Sequence, residues 1–92
     1  MAVAIEMRFS GATLEQYDEV MRLMALGDTP PAGALFHWVA ATDDGIKVTD
    51  VWETIEQFNA FAHENIGPNT QKAGFAGPPE STVYEVHNYL GH

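Results

Sequence analysis

The sequence predicts an α+β domain in the order strand, helix, strand, strand, helix, strand. Three observations carry this: two-residue hydrophobic alternation at both ends of the chain and in its middle, two apolar stripes at helical spacing that each follow a threonine, and clusters of glycine and proline between these stretches. With 92 residues the chain has room for one core, so a single domain over residues 1–92 is expected.

Val3, Ile5, Met7 and Phe9 alternate with Ala4, Glu6 and Arg8, which reads as a first strand from Ala2 to Ser10 with one face buried. Gly11 breaks it. Thr13, with Gln16 three residues later, forms a capping-box pattern, and Leu14, Tyr17, Val20, Met21 and Met24 make the stripe of a helix running to about Leu26. Gly27, Pro30, Pro31 and Gly33 then demand a loop. The aromatic-rich stretch from Ala34 to Thr42 and the alternating one from Ile46 to Glu53 flank Asp43-Asp44-Gly45, the composition of a hairpin turn. A two-residue turn centred on Asp44 and Gly45 would set His37 opposite Trp52 and Val39 opposite Asp50; a three-residue loop would shift that register by one.

Thr54 caps a second helix striped by Ile55, Phe58, Phe61, Ala62 and Ile66, with Gly67 and Pro68 interrupting it and a short turn following from Asn69 to Ala73. A fourth strand is expected from Glu80 to Leu90, where Val83, Glu85, His87 and Tyr89 alternate with Thr82, Tyr84, Val86 and Asn88.

Composition excludes several functions. Thirteen acids face only four basic side chains, a formal charge of −9, so a surface that tracks phosphates is not expected and nucleic acid is not a partner. No apolar run is long enough to cross a membrane, no leader pattern opens the chain, and a cytoplasmic location is expected. With no cysteine, disulfides, thiolate nucleophiles and iron–sulfur clusters are ruled out. Stability must come from packing or self-association.

Two amphipathic helices packed on one side of a four-stranded antiparallel sheet leave the other side bare. Covering it with the sheet of a second copy is the natural solution, which makes a homodimer the expected partner state. The stretch Asp50-Val51-Trp52-Glu53-Thr54-Ile55-Glu56-Gln57-Phe58-Asn59-Ala60-Phe61, continuing to Gly67-Pro68, resembles the third-strand and second-helix signature of the dimeric α+β barrel superfamily, in particular its antibiotic biosynthesis monooxygenase-like branch. The resemblance implies a ferredoxin-like βαββαβ fold and a homodimer with a small-molecule pocket between sheet and helices in each subunit. The superfamily includes cofactor-free monooxygenases, isomerases and haem-binding enzymes, so the resemblance leaves the reaction open.

His37 and His87 are the candidate catalytic bases, because each falls in an expected strand and an imidazole in an apolar cavity can move a proton near neutral pH. A histidine on a dimer seam or bonded to a backbone carbonyl would look the same in sequence. On the expected register His37, Asp50 and Trp52 share a face, giving a base, a carboxylate to orient it and an aromatic wall; Asp50 pairing only with Arg8 or Lys47 is the alternative. Tyr17, Tyr84, Trp38 and Trp52 are candidates to stack on a flat substrate, and Asn88 to donate to a carbonyl. His37, His87 and Asp50 together would suit a metal, but no paired-histidine spacing supports one, and no metal is expected. His63 on the second helix and His92 at the end are expected in solvent. The glycines form no phosphate-binding turn, so no nucleotide and no bound cofactor is expected.

The expected function is that of an enzyme acting on a small hydrophobic, polyketide-like molecule by proton abstraction, as a cofactor-free monooxygenase would. A non-catalytic ligand-binding homodimer and an isomerase or cyclase on the same scaffold are the alternatives.

Overall fold

A computed structural model describes residues 2–27 and 29–90, so His92 lies outside the described residues. Strand β1 spans Val3–Ser10, helix α1 Leu14–Met24, β2 Ala34–Ala41, β3 Gly45–Trp52, α2 Ile55–Phe61, α3 Gly67–Lys72 and β4 Glu80–Glu85, with a π-helical turn, Ala62–Ile66, joining α2 to α3. The strands form one antiparallel sheet in the order β2-β3-β1-β4. The strand and helix order matches the reading above.

Alternation in β1 becomes a core. Val3, Ile5, Met7 and Phe9 are buried beneath the helices together with Ile46, Val48 and Trp52 of β3. Phe58 packs edge-on to Trp52 at 5.8 Å between ring centroids, and Phe75 edge-on to Phe9 at 5.0 Å. Such contacts add to the hydrophobic term that burial supplies.

The expected capping box forms: Thr13 Oγ1 accepts the Gln16 N–H at 3.1 Å, and Gln16 Oε1 accepts the Thr13 N–H at 3.0 Å. Gln16 also donates to the Gly74 carbonyl at 3.1 Å, tying the start of α1 to the loop after α3. The helix stops earlier than expected, because Ala25 takes a left-handed conformation (φ 54°) and its N–H closes on Met21 O at 3.2 Å.

Three expectations are corrected. In the β2–β3 hairpin Thr42 N–H donates to Gly45 O at 2.8 Å, which centres the turn on Asp43 and Asp44 instead of Asp44 and Gly45. His37 therefore faces Asp50, and Val39 faces Val48. The change moves each partner by two residues, so side chains keep their faces. A bulge at Leu35 then sets Ala34 opposite Trp52.

The interruption of the second helix falls at Ala62–Ile66, before Gly67 and Pro68, and the helical turn that follows begins at Gly67 and not at Asn69. The Gly67 N–H reaches back to Ala62 O, a π-type bond, and the wider turn lets Pro68, which has no N–H, sit in the first turn of α3. Lastly, β4 ends at Glu85 and not at Leu90. Glu85 pairs with Val3, the first residue of β1, and one further bond joins Val86 N–H to Ala2 O at 3.0 Å. Among the described residues no strand pairs with the stretch beyond Val86.

The register sends Phe36, Trp38 and Tyr84 to the face away from the helices, where they stay 41%, 40% and 53% exposed. Glu6 holds both Arg8 and Lys47 at 3.2 Å on that face, and the Lys47 ammonium stands 5.9 Å from the centre of the Trp38 ring.

Candidate active site

Between the sheet and the helices lies a cavity of about 470 Å³. Its floor is the helix-facing side of the strands, from Met7 and Phe9 to Val48 and Trp52. Its roof is α1 through Tyr17, Val20, Met21 and Met24, and its ends are closed by the loop after α1 and by Phe61, Ile66 and Thr70. Nearly every lining side chain is apolar, as expected of a site for a small organic molecule.

Apart from Thr29 and Thr70, the polar part of the lining is a continuous chain of four side chains. Asp50 and Trp52 are two residues apart on β3 and so point the same way, and the Trp52 indole N–H donates to Asp50 Oδ2 at 3.1 Å. Directly across the ladder, His37 Nδ1 lies 2.5 Å from Asp50 Oδ1. The carboxylate can only accept, so Nδ1 carries the hydrogen and Nε2 is left with its lone pair. Tyr17, reaching down from α1, donates its hydroxyl to that nitrogen with the two rings nearly parallel (13°).

Burial differs along the chain. The Asp50 side chain is 8% exposed and that of His37 41%, so the carboxylate is sheltered while the imidazole borders the open part of the cavity. Burial pushes the Tyr17 hydroxyl above the ordinary tyrosine value, and the negative charges of Asp50 and Asp18 push it further. Tyr17 is therefore a neutral hydroxyl that can pass a proton on but does not hold a negative charge. His37 Nε2, which accepts the Tyr17 hydroxyl, is the basic atom in the chain that can take one.

Of the residues singled out in the sequence, His37, Asp50, Trp52 and Tyr17 meet here. Tyr17 is expected as a ring against a flat substrate, yet its hydroxyl is what joins the chain; its place on the apolar stripe of α1 is the signal, since a hydroxyl carried inward needs a partner. The alternative pairing of Asp50 with Arg8 or Lys47 does not form, because both cations are held by Glu6 on the opposite face. Trp38, Tyr84, His87 and Asn88 do not line the cavity. Trp38 and Tyr84 lie on the other side of the sheet, and His87 and Asn88 are exposed beyond the end of β4. His63 is exposed on the π-helical turn. Among the described residues no three histidine or carboxylate side chains are grouped as metal ligands would be. Met21 and Met24 were read only as core, and Thr29 and Thr70 were not singled out; all four line the cavity.

No protein-family model and no curated protein matches the sequence. Solved structures do match over the whole chain. A provisionally named antibiotic biosynthesis monooxygenase from Chloroflexus aurantiacus is 22% identical, with a TM-score of 0.64 over 99% of this chain and 98% of that one. SnoaB, a cofactor-independent oxygenase from Streptomyces nogalater, is 12% identical, with a TM-score of 0.63 over 99% and 97%. This chain has the antibiotic biosynthesis monooxygenase-like fold. MhuD, a haem degrader from Mycobacterium tuberculosis, carries it too, at 18% identity and a TM-score of 0.55 over 99% and 100% of the two chains. At these identities the likeness is one of fold, and within this fold the chemistry has to be read from each chain's own side chains. Among the described residues no helix is long and apolar enough to cross a membrane.

Proposed function

We propose that this chain is a small enzyme that binds a hydrophobic, aromatic, polyketide-like molecule in the cavity and removes a proton from it, with monooxygenation as the reaction. The observation that carries the reading is the hydrogen-bonded chain Trp52, Asp50, His37, Tyr17 ending in an otherwise apolar cavity. A substrate hydroxyl gives its proton to the Tyr17 oxygen while the Tyr17 proton passes to His37 Nε2. Tyr17 is neutral before and after the step, as its raised pKa requires, and the imidazolium is stabilised by Asp50. The electron-rich ring then reacts with dioxygen. A phenol plus dioxygen gives a quinone plus water, the substrate supplying both electrons and both hydrogens.

The residues present do not fit haem. Both ring nitrogens of His37 are already engaged, and His63 and His87 do not line the cavity, so among the described residues no histidine is free there as an axial ligand.

The working state in this reading is a cytoplasmic homodimer, with the second copy covering Phe36, Trp38 and Tyr84. In support, these three large rings stand exposed together on the face of the sheet that no helix covers. The test of function is dioxygen uptake with a panel of polycyclic phenols, wild type against His37→Gln. Uptake that the substitution abolishes supports monooxygenation. Turnover without uptake points to an isomerase or cyclase, and binding without turnover to a ligand-binding protein.

A further inference from the structure

We propose that the cavity admits only ligands without a permanent negative charge: neutral hydroxyarenes, and not carboxylic acids, phosphates or their conjugates. This rests on the reading of the cavity as a ligand site and adds the substrate's charge class to it.

The chain has four lysine and arginine side chains, and all four lie elsewhere. Arg8 and Lys47 pair with Glu6 across the sheet from the cavity, at 3.2 Å each. Arg22 grips Glu19 on α1 through two bonds of 2.7 and 2.6 Å, and Lys72 is exposed in the last turn of α3. None of them lines the cavity.

Apart from the hydroxyl of Thr29, an exposed residue at the edge of the lining, the uncharged side-chain donors are also spent. The Trp52 N–H goes to Asp50, and the Thr70 hydroxyl goes to the Ile66 carbonyl at 2.7 Å and reaches that of Gly67 at 3.0 Å. The His37 Nδ1–H goes to Asp50, a carboxylate that repels a second anion. A buried anion without a cation or a set of donors is strongly disfavoured.

A neutral hydroxyarene avoids this problem. Its proton moves to His37, so the anion is created together with a cation and the net charge of site plus ligand does not change. An acid brings in a charge that nothing in the cavity answers. It follows that the reaction supplying this substrate must have removed or masked any carboxylate, by decarboxylation, esterification or lactonisation.

The test compares 6-hydroxy-2-naphthoate with its own methyl ester and with 2-naphthol, by tryptophan fluorescence or calorimetry at neutral pH. The ester is the larger molecule, so size cannot explain rejection of the acid. The ester and 2-naphthol are expected to bind, and the acid to bind at least roughly 100-fold more weakly. Thr29→Lys, which places an ammonium at the exposed edge of the lining, should raise the affinity of the acid relative to the ester by roughly tenfold or more. Equal affinity for acid and ester, or no gain for the acid in the lysine variant, overturns the charge selection and leaves the ligand site standing. Failure of all three compounds to bind overturns the ligand site as well.

Discussion

His37 and Asp50 face each other as ladder partners, Nδ1 to Oδ1 at 2.5 Å, and this fixes which imidazole nitrogen is free. In ¹⁵N-histidine spectra the neutral ring is expected as the Nδ1–H tautomer. Asp50→Asn can offer an amide N–H in place of a carboxylate oxygen and should invert it to the Nε2–H form. Retention of the same tautomer in the variant would show that Asp50 does not orient the ring.

Trp52 is 2% exposed and supplies the N–H that meets Asp50 Oδ2. Trp52→Phe leaves that buried oxygen unpaired and a void beside Phe58 and Phe61. A loss of about 2 to 4 kcal/mol in urea unfolding is expected. A loss below about 1 kcal/mol would mean that the indole is not anchoring the carboxylate.

Tyr17 has a pKa raised by burial and by Asp50 and Asp18. The folded state thus favours the neutral hydroxyl, so this contribution to stability is complete below tyrosine's ordinary value of about 10 and is lost as pH rises through the higher native value. Absorbance titration of tyrosinate should show one late-ionising tyrosine that disappears in Tyr17→Phe. The same variant should flatten the fall in urea midpoint as pH rises above about 10.

Gly45 opens β3 against the end of β1, and a Cβ there would lie 2.0 Å from the Phe9 carbonyl oxygen. Backbone cannot step aside as a side chain can, so Gly45→Ala should cost roughly 2 kcal/mol or more, measured by thermal or urea unfolding. Gly11→Ala would meet nothing within 4 Å but sits at φ 76°, so its cost, roughly 1 kcal/mol, is conformational alone.

Much of this was legible in the residues. The alternation of Val3, Ile5, Met7 and Phe9 and the Thr13 capping box are local patterns, and local patterns survive folding. The hairpin register was misplaced because Asp43, Asp44 and Gly45 are all good turn residues and composition does not say which two sit at the centre. Parity protected the site, since a shift by two keeps His37 on the face of Asp50 and Trp52. What could not be read were effects set by other strands. β4 pairs with β1 only as far as Glu85 opposite Val3, and His87 and Asn88 lie beyond that ladder, away from the cavity. The bond between Tyr17 and His37 depends on how α1 lies over the sheet, which no spacing along the chain specifies.

The most direct test of the proton relay is the ionisation state of a bound phenol. With 4-nitrophenol, whose hydroxyl ionises near neutral pH and whose anion absorbs at longer wavelength, spectra are recorded at saturation on the acid side of its midpoint. The expected result is a nitrophenolate band on the wild-type protein that is lost in His37→Gln. Bound probe ionised equally in both proteins, or in neither, would contradict proton transfer to His37.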